Sequence, residues 1–182
     1  MKKWLIGLSC VFVLSGCVST PKAENAPLFP IDPVATAEAP WKVGERISDA
    51  VCPKPVNVEC YRVFLGVTPD GHKVAQEFYA GGEHKATDPF LIRPAVSWDG
   101  MTRLQDVENP LEILGSNLTA WYLDGSKALE WVKKSDNDFE VTVWRENGPK
   151  EIYLHVVDNE AVKVITWDED GKVLEEIELG KQ

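Results

Sequence analysis

The sequence predicts a mainly β protein, an antiparallel meander of stacked β-hairpins with little helix. Trp121, Trp144 and Trp167 are spaced 23 residues apart (144 − 121 = 23; 167 − 144 = 23), and each opens the pattern Trp-x-x-x-Gly, in WYLDG, WRENG and WDEDG. The flanking residues alternate. Phe139, Val141 and Val143 fall on one side with Glu140, Thr142 and Trp144 opposite, and Ile152, Leu154 and Val156 oppose Tyr153, His155 and Val157. A two-residue period is that of a strand, whose successive side chains point to opposite faces. The residue before each glycine is Asp124, Asn147 or Asp170, and Asp-Gly and Asn-Gly pairs supply the positive φ angles that a tight hairpin turn requires. Three residues before each tryptophan stand Leu118, Val141 and Val164, and eight after it Leu129, Ile152 and Glu175, so one apolar row runs through the units until the last. Glu175 leaves that row because a terminal repeat faces solvent. A lone hairpin cannot bury its apolar face, so the hairpins are expected to pair edge to edge into one twisted sheet.

From the N-terminus, residues 1–17 read MKKWLIGLSCVFVLSGC. Lys2 and Lys3 form a positive leader, and the apolar run from Trp4 to Leu14 falls short of the roughly 20 residues that span a bilayer. Residues 1–16 are therefore expected to be a cleaved export signal. Leu14-Ser15-Gly16-Cys17 resembles the lipobox of bacterial lipoproteins, which implies that Cys17 becomes the lipid-bearing first residue of the mature chain. At ~0.8 kcal/mol per buried CH₂, the two or three acyl chains implied by that resemblance make membrane attachment effectively permanent. Val18 stands where inner-membrane lipoproteins of this type carry Asp, so the outer membrane is the expected address.

Residues 17–40 are rich in Pro and Ala and show no periodicity, which predicts a disordered tether reaching ~70 Å at ~3.1 Å per residue. Its apolar patch, Leu28-Phe29-Pro30-Ile31, is the stretch able to dock on the domain or on a partner. From Trp41 the prolines thin out, and the remaining ~140 residues suffice for one domain, 41–182, with a real core. Residues 47–51 are read as one helical turn. Of the four cysteines, Cys10 leaves with the signal and Cys17 carries lipid, so Cys52 and Cys60 are expected to form a disulfide in an oxidising compartment. A further hairpin is predicted where Tyr61 to Val67 runs into Pro69-Asp70-Gly71 and returns through Lys73 to Tyr79. Residues 80–117 form an irregular insertion, with loops at Gly81-Gly82 and Asp99-Gly100 and a short helix at 111–114. Residues 127–134 mimic an amphipathic helix, but the repeat register assigns them to a strand.

The succession of aromatic, Asp/Asn-Gly, Lys and acidic residues in VTPDGHKVAQEFYAGG, WYLDGSKALEWV and WRENGPKEIYLHV resembles the MORN-variant repeats of the bacterial YwqK family. That resemblance covers residues 67–79 and 119–179. It implies stacked β-hairpins, export or lipid anchoring, and, through the family's antitoxin label, binding rather than turnover; it supplies no catalytic residues. The glycine such repeats place between hairpins is replaced here by Asp136-Asn137 and Asp158-Asn159.

Charge excludes one class of partner. The chain carries 19 Lys+Arg against 29 Asp+Glu, and without Lys2 and Lys3 the balance is 17 − 29 = −12, so nucleic acid is not expected. The three histidines, His72, His84 and His155, show no metal-ligand spacing, and no nucleophile elbow or phosphate-binding glycine loop is present. Asp168-Glu169-Asp170-Gly171 lacks the spaced ligands of a calcium loop, and turn chemistry accounts for it. No cofactor or metal is expected, and no enzymatic activity. Trp121, Trp144 and Trp167 occupy equivalent positions and form either a packed row or a binding strip. The expected function is that of a non-enzymatic outer-membrane lipoprotein that binds an envelope protein or serves as a subunit of an envelope assembly. Two alternatives stand beside it. One is an immunity or inhibitor protein against a toxin or lysozyme-like enzyme in the periplasm. The other is a glycan or small-ligand binder using exposed tryptophans and paired carboxylates such as Glu130 and Glu140.

Overall fold

A computed structural model describes residues 28–53, 55–56, 58–103, 113–146 and 148–180. Among the described residues ten strands form two antiparallel sheets in meander order. The first holds β1 (Arg46–Val51), β2 (Glu59–Val67), β3 (Lys73–Tyr79) and β4 (Phe90–Ile92), each beside its sequence neighbour. The second holds β5 (Leu118–Trp121), β6 (Lys127–Lys133), β7 (Asp138–Trp144), β8 (Lys150–Val157), β9 (Glu160–Trp167) and β10 (Val173–Glu178), again in chain order. The mainly β hairpin meander expected from the repeat is what forms. Among the described residues no helix is long and apolar enough to cross a membrane.

The register follows the alternation read from the sequence. Leu129 faces Val143 and Trp131 faces Val141, then Val141 faces Leu154 and Leu154 faces Val164. Residues in this row share one face of the second sheet, and its β6–β7 part closes on the first sheet. A single buried cluster draws Phe64, Ala75, Phe90 and Ile92 from the first sheet and Trp131, Phe139 and Val141 from the second. Trp131 and Phe139 stack within it at 4.4 Å between ring centroids. The sheets are also stitched by backbone: Trp121 N–H donates to Ala86 O at 2.8 Å and Asp88 N–H to Thr119 O at 3.0 Å. Between β2 and β3, Arg62 faces Glu77, and their buried ion pair is extended by a 2.5 Å bond from Arg62 to Met101 O.

The hairpin turns differ from the expected chemistry in an instructive way. The loops at 68–72, 122–126 and 168–172 each close by a pair of backbone bonds, for example Gly125 N–H to Tyr122 O at 2.9 Å and Tyr122 N–H to Ser126 O at 2.8 Å. Only the glycine is left-handed, with φ of 84° at Gly71, 85° at Gly125 and 78° at Gly171, while the aspartate before it stays at negative φ. A three-residue loop with glycine last needs one left-handed residue, not two. The turn that does need two joins β8 to β9, where Asp158 and Asn159 sit at φ 53° and 65°. These are the residues that replace the expected inter-hairpin glycine, and Asp and Asn are the side chains best able to occupy that region.

Several segments depart from the sequence reading. Residues 47–51 are not a helical turn but lie within β1, where Ala50 pairs with Cys60 and Asp49 with Tyr61, because the edge of β2 offers a ladder that one helical turn cannot match. The tether expected over 17–40 gains structure before it ends. Asp32 caps a short helix, α1 (Pro33–Ala37), by accepting from Val34 N–H, and Asp32 N–H donates to Val67 O at 2.8 Å. Thr36 Oγ1 accepts from Val67 N–H at 2.9 Å. β1 pairs with β2 only as far as Val63, so the outward backbone groups of Val67 are free for this segment. Asp99-Gly100 lies not in a loop but in α2 (Trp98–Thr102), capped by Ser97 and burying Met101. Of the helix expected at 111–114, residues 111 and 112 lie outside the described residues, and Leu114 forms a β-bridge with Ile92.

Candidate functional site

The repeat tryptophans build the most regular side-chain array in the molecule. The register shifts at each of them, between Ala120 and Trp121, between Val143 and Trp144, and in β10 opposite Trp167. The shift turns each ring toward the preceding hairpin, whose lysine covers it. Lys85 lies 4.5 Å from the Trp121 ring, Lys127 5.2 Å from Trp144 and Lys150 5.8 Å from Trp167. A second rung runs alongside: Tyr79 OH donates to Trp121 O and Tyr122 OH to Trp144 O, both at 2.7 Å, and Arg145 Nη2 donates to Trp167 O at 3.0 Å. Burial holds both phenols above their ordinary pKa. All three rings are half-buried, and one face of each is already taken by an ammonium group. The array is a strap tying each repeat to the next, whereas stacking a sugar needs a bare aromatic face. Among the described residues the buried tryptophan is Trp131, outside the 23-residue series.

The second feature is the wing formed by β8, β9 and β10, where the sheet leaves its core: Leu154 and Val156 of β8 still pack on the buried cluster, and β9 and β10 run beyond it. β8 and β9 are half-buried almost throughout, and β10 is exposed except at Ile177. One face carries the row Leu154, Val164 and Ile177; the other carries Tyr153 beside Ile165 and Glu176. Lys163 bridges Glu176 at 2.6 Å and Glu178 at 3.2 Å, and His155 Nε2 lies 2.9 Å from Asp138 Oδ1. Burial first, and then a hydrogen bond to Glu140, push the Tyr153 phenol up to about 12. No described strand pairs with the outer edge of β10.

Other residues singled out by the sequence fall in separate places. Cys52 and Cys60 form a disulfide with Cα atoms 5.1 Å apart, packed with Tyr79 and Ala86. Cys17 and its lipobox lie outside the described residues. Glu130 is paired with Lys127 at 2.6 Å, and Glu140 with Lys134, whose hydrogen bond holds the Glu140 carboxyl below its ordinary pKa. Glu140 is thus held in its ionised form and is not a poised proton donor. Asp168 Oδ1 is occupied by the Asp170 and Lys172 amides at 3.0 and 2.8 Å, and no group of His, Cys, Asp or Glu placed to hold a metal exists among the described residues.

One constellation had no signal in the sequence. Arg93, just after β4, and Lys133, at the end of β6, converge on Asp136 Oδ1 at 3.1 and 2.7 Å across a cavity of about 360 Å³ that His72, Pro94 and Ala95 complete. The Lys133 hydrogen bond and charge, with Arg93, hold the Asp136 carboxyl below its ordinary pKa. Arg93 and Asp136 are 43 residues apart and belong to different sheets, so no spacing rule connects them. Comparison with family models, with curated proteins and with solved structures finds no match for this chain.

Proposed function

We propose that the protein is a non-enzymatic lipoprotein of the outer membrane, held there through Cys17, whose β-sheet domain binds another envelope protein or serves as an accessory subunit of an envelope assembly. The observation that carries this reading is the wing. A sheet that continues past its core into β9 and β10, with apolar side chains on both faces of β8 and β9 and an open edge along β10, offers the geometry of strand addition, in which a partner strand completes the free edge. Glu175, Glu176 and Glu178 bias that edge toward a basic partner and against pairing with a second copy of itself. Glu130 and Glu140, the carboxylates weighed for hydrolysis, are each ion-paired with a lysine, which favours binding over turnover.

A photo-crosslinking residue placed at Leu174 or Glu176 in β10, and as a control at Asp49 in β1, tests the reading in intact cells. One dominant adduct of fixed mass from the β10 positions alone is the expected result. Equal labelling from β1, or none from β10, would remove the wing as the partner surface. Replacing Cys17 with Ser should abolish fatty-acid labelling and release the protein from the membrane fraction; retention with labelling intact would rule out Cys17 as the anchor.

A further inference from the structure

We propose that the cavity between the two sheets at Arg93 and Lys133 is a binding site for a small oxyanion, a carboxylate or phosphate group, and that the Asp136 carboxylate is its resident placeholder. The proposal is independent of the wing. The two cations belong to the wall: their side chains are 29% and 19% exposed, whereas that of Asp136 is 76% exposed. A cation pair is thus held in place by two sheets, and the carboxylate reaches it from solvent. Asp136 rides on the β6–β7 turn, where Lys134 and Ser135 N–H both donate to Asp138 O, and its exposed side chain meets the two cations from the solvent side.

Charge makes the site unusual for this chain. Two cations face one carboxylate, an excess of one positive charge in the lining of a cavity, within a protein of net charge −10. The cations also bind in an incomplete way. Both meet the single oxygen Oδ1 of Asp136, and Arg93 spends Nε on Leu114 O at 3.3 Å. A guanidinium fork with an ammonium beside it matches the several oxygens of a phosphate or a free carboxylate better than one oxygen of a tethered side chain. The cleft, about 360 Å³ and open to solvent, has room for such a group.

The test is titration of the full-length chain in mild detergent with inorganic phosphate and, separately, with acetate, at constant ionic strength, following the backbone amide resonances of Arg93 and Lys133. Removing the competing carboxylate in Asp136→Asn should tighten binding by about tenfold, the worth of one charge-assisted hydrogen bond, and Arg93→Gln or Lys133→Met should weaken it by at least that factor. A response to phosphate alone assigns the site to phosphate esters, and a response to acetate alone to carboxylates. If Asp136→Asn responds to neither anion, or responds equally when Arg93→Gln is added, the cluster is only a clasp between sheets and the proposal fails. Retained amide dispersion in each variant shows that the fold is intact.

Discussion

Gly66 shows how much rests on one missing atom. It sits at φ +134° beside a register shift in β2, and a Cβ there would lie 2.9 Å from Ile31 Cγ2 and 3.2 Å from Thr36 Oγ1. Gly66→Ala therefore suffers twice, from a backbone conformation that L side chains avoid and from collision with the docked 31–36 segment. A loss of about 2 kcal/mol is expected in urea unfolding, partly recovered in the double variant with Ile31→Ala because the two side chains compete for one space. Tyr153 gives the pH counterpart. Its folded pKa is raised from 10.0 to about 12, so the stability carried by the neutral phenol is fully present below pH 10 and is lost as pH rises toward 12. The gap between denaturation midpoints at about pH 9 and about pH 11 should be smaller for Tyr153→Phe than for the native chain, with the raised phenols of Tyr79 and Tyr122 leaving a residual gap in both. Equal alkaline sensitivity in the two proteins would show that Tyr153 is not the group responsible.

Among elements, the strap of lysines over tryptophans is the repeat's own invention. Lys127→Met should cost about 0.5–1 kcal/mol, the usual worth of a partly exposed cation over an aromatic ring, with a similar loss for Lys150→Met. If both substitutions are neutral in urea unfolding, the rings are held by packing alone. This strap also marks the boundary of what the sequence discloses. The 23-residue period exposes β5 to β10, their register and their turns because each hairpin repeats a local pattern, so every residue in it testifies with two others. The row of Trp121, Trp144 and Trp167 is visible for the same reason, but the lysines that cover the rings come from the preceding turn, a contact that no periodicity in one strand displays. β1 escapes because ISDAV has no clean alternation, and its conformation is decided by the edge of β2. The docking of residues 31–40 is legible only in part: Ile31 belongs to the apolar patch read as able to dock, but the rest reads as tether from its proline-rich composition, and Asp32 and Thr36 are recruited by backbone groups of Val67 some thirty residues away. Arg93, Lys133 and Asp136 meet only once the two sheets have closed on each other.

At the scale of the whole molecule the decisive fact is that the main core, between the two sheets, serves the described strands unevenly, with a smaller cluster around Cys52, Cys60, Tyr79 and Ala86 beside it. Trp131 lies where both sheets meet, and Trp131→Ala should cost about 3–5 kcal/mol, a large share of the stability of a domain this size, with both sheets lost in a single transition. The Cys52–Cys60 disulfide closes a loop of sequence separation 8 at the far end of β1, so its reduction should remove about 2–3 kcal/mol without touching the second sheet directly. Protection is graded along that sheet. β7 contributes Phe139 and Val141 to the core, β8 leans on it through half-buried Leu154 and Val156, β9 is half-buried beside β8 without joining the core cluster, and β10 has no described strand on its outer edge. Backbone amides should therefore exchange with solvent hydrogen at opening free energies that fall in the order β7, β8, β9, β10. A partner strand along β10 would supply the missing edge and raise the protection of the last two strands most, since they begin with the least. Native-state hydrogen exchange on the isolated protein, repeated after crosslinking to its partner, measures both quantities. A flat profile from β7 to β10 in the isolated protein would mean that the wing is already as stable as the core, and strand addition would then have no incomplete element to complete.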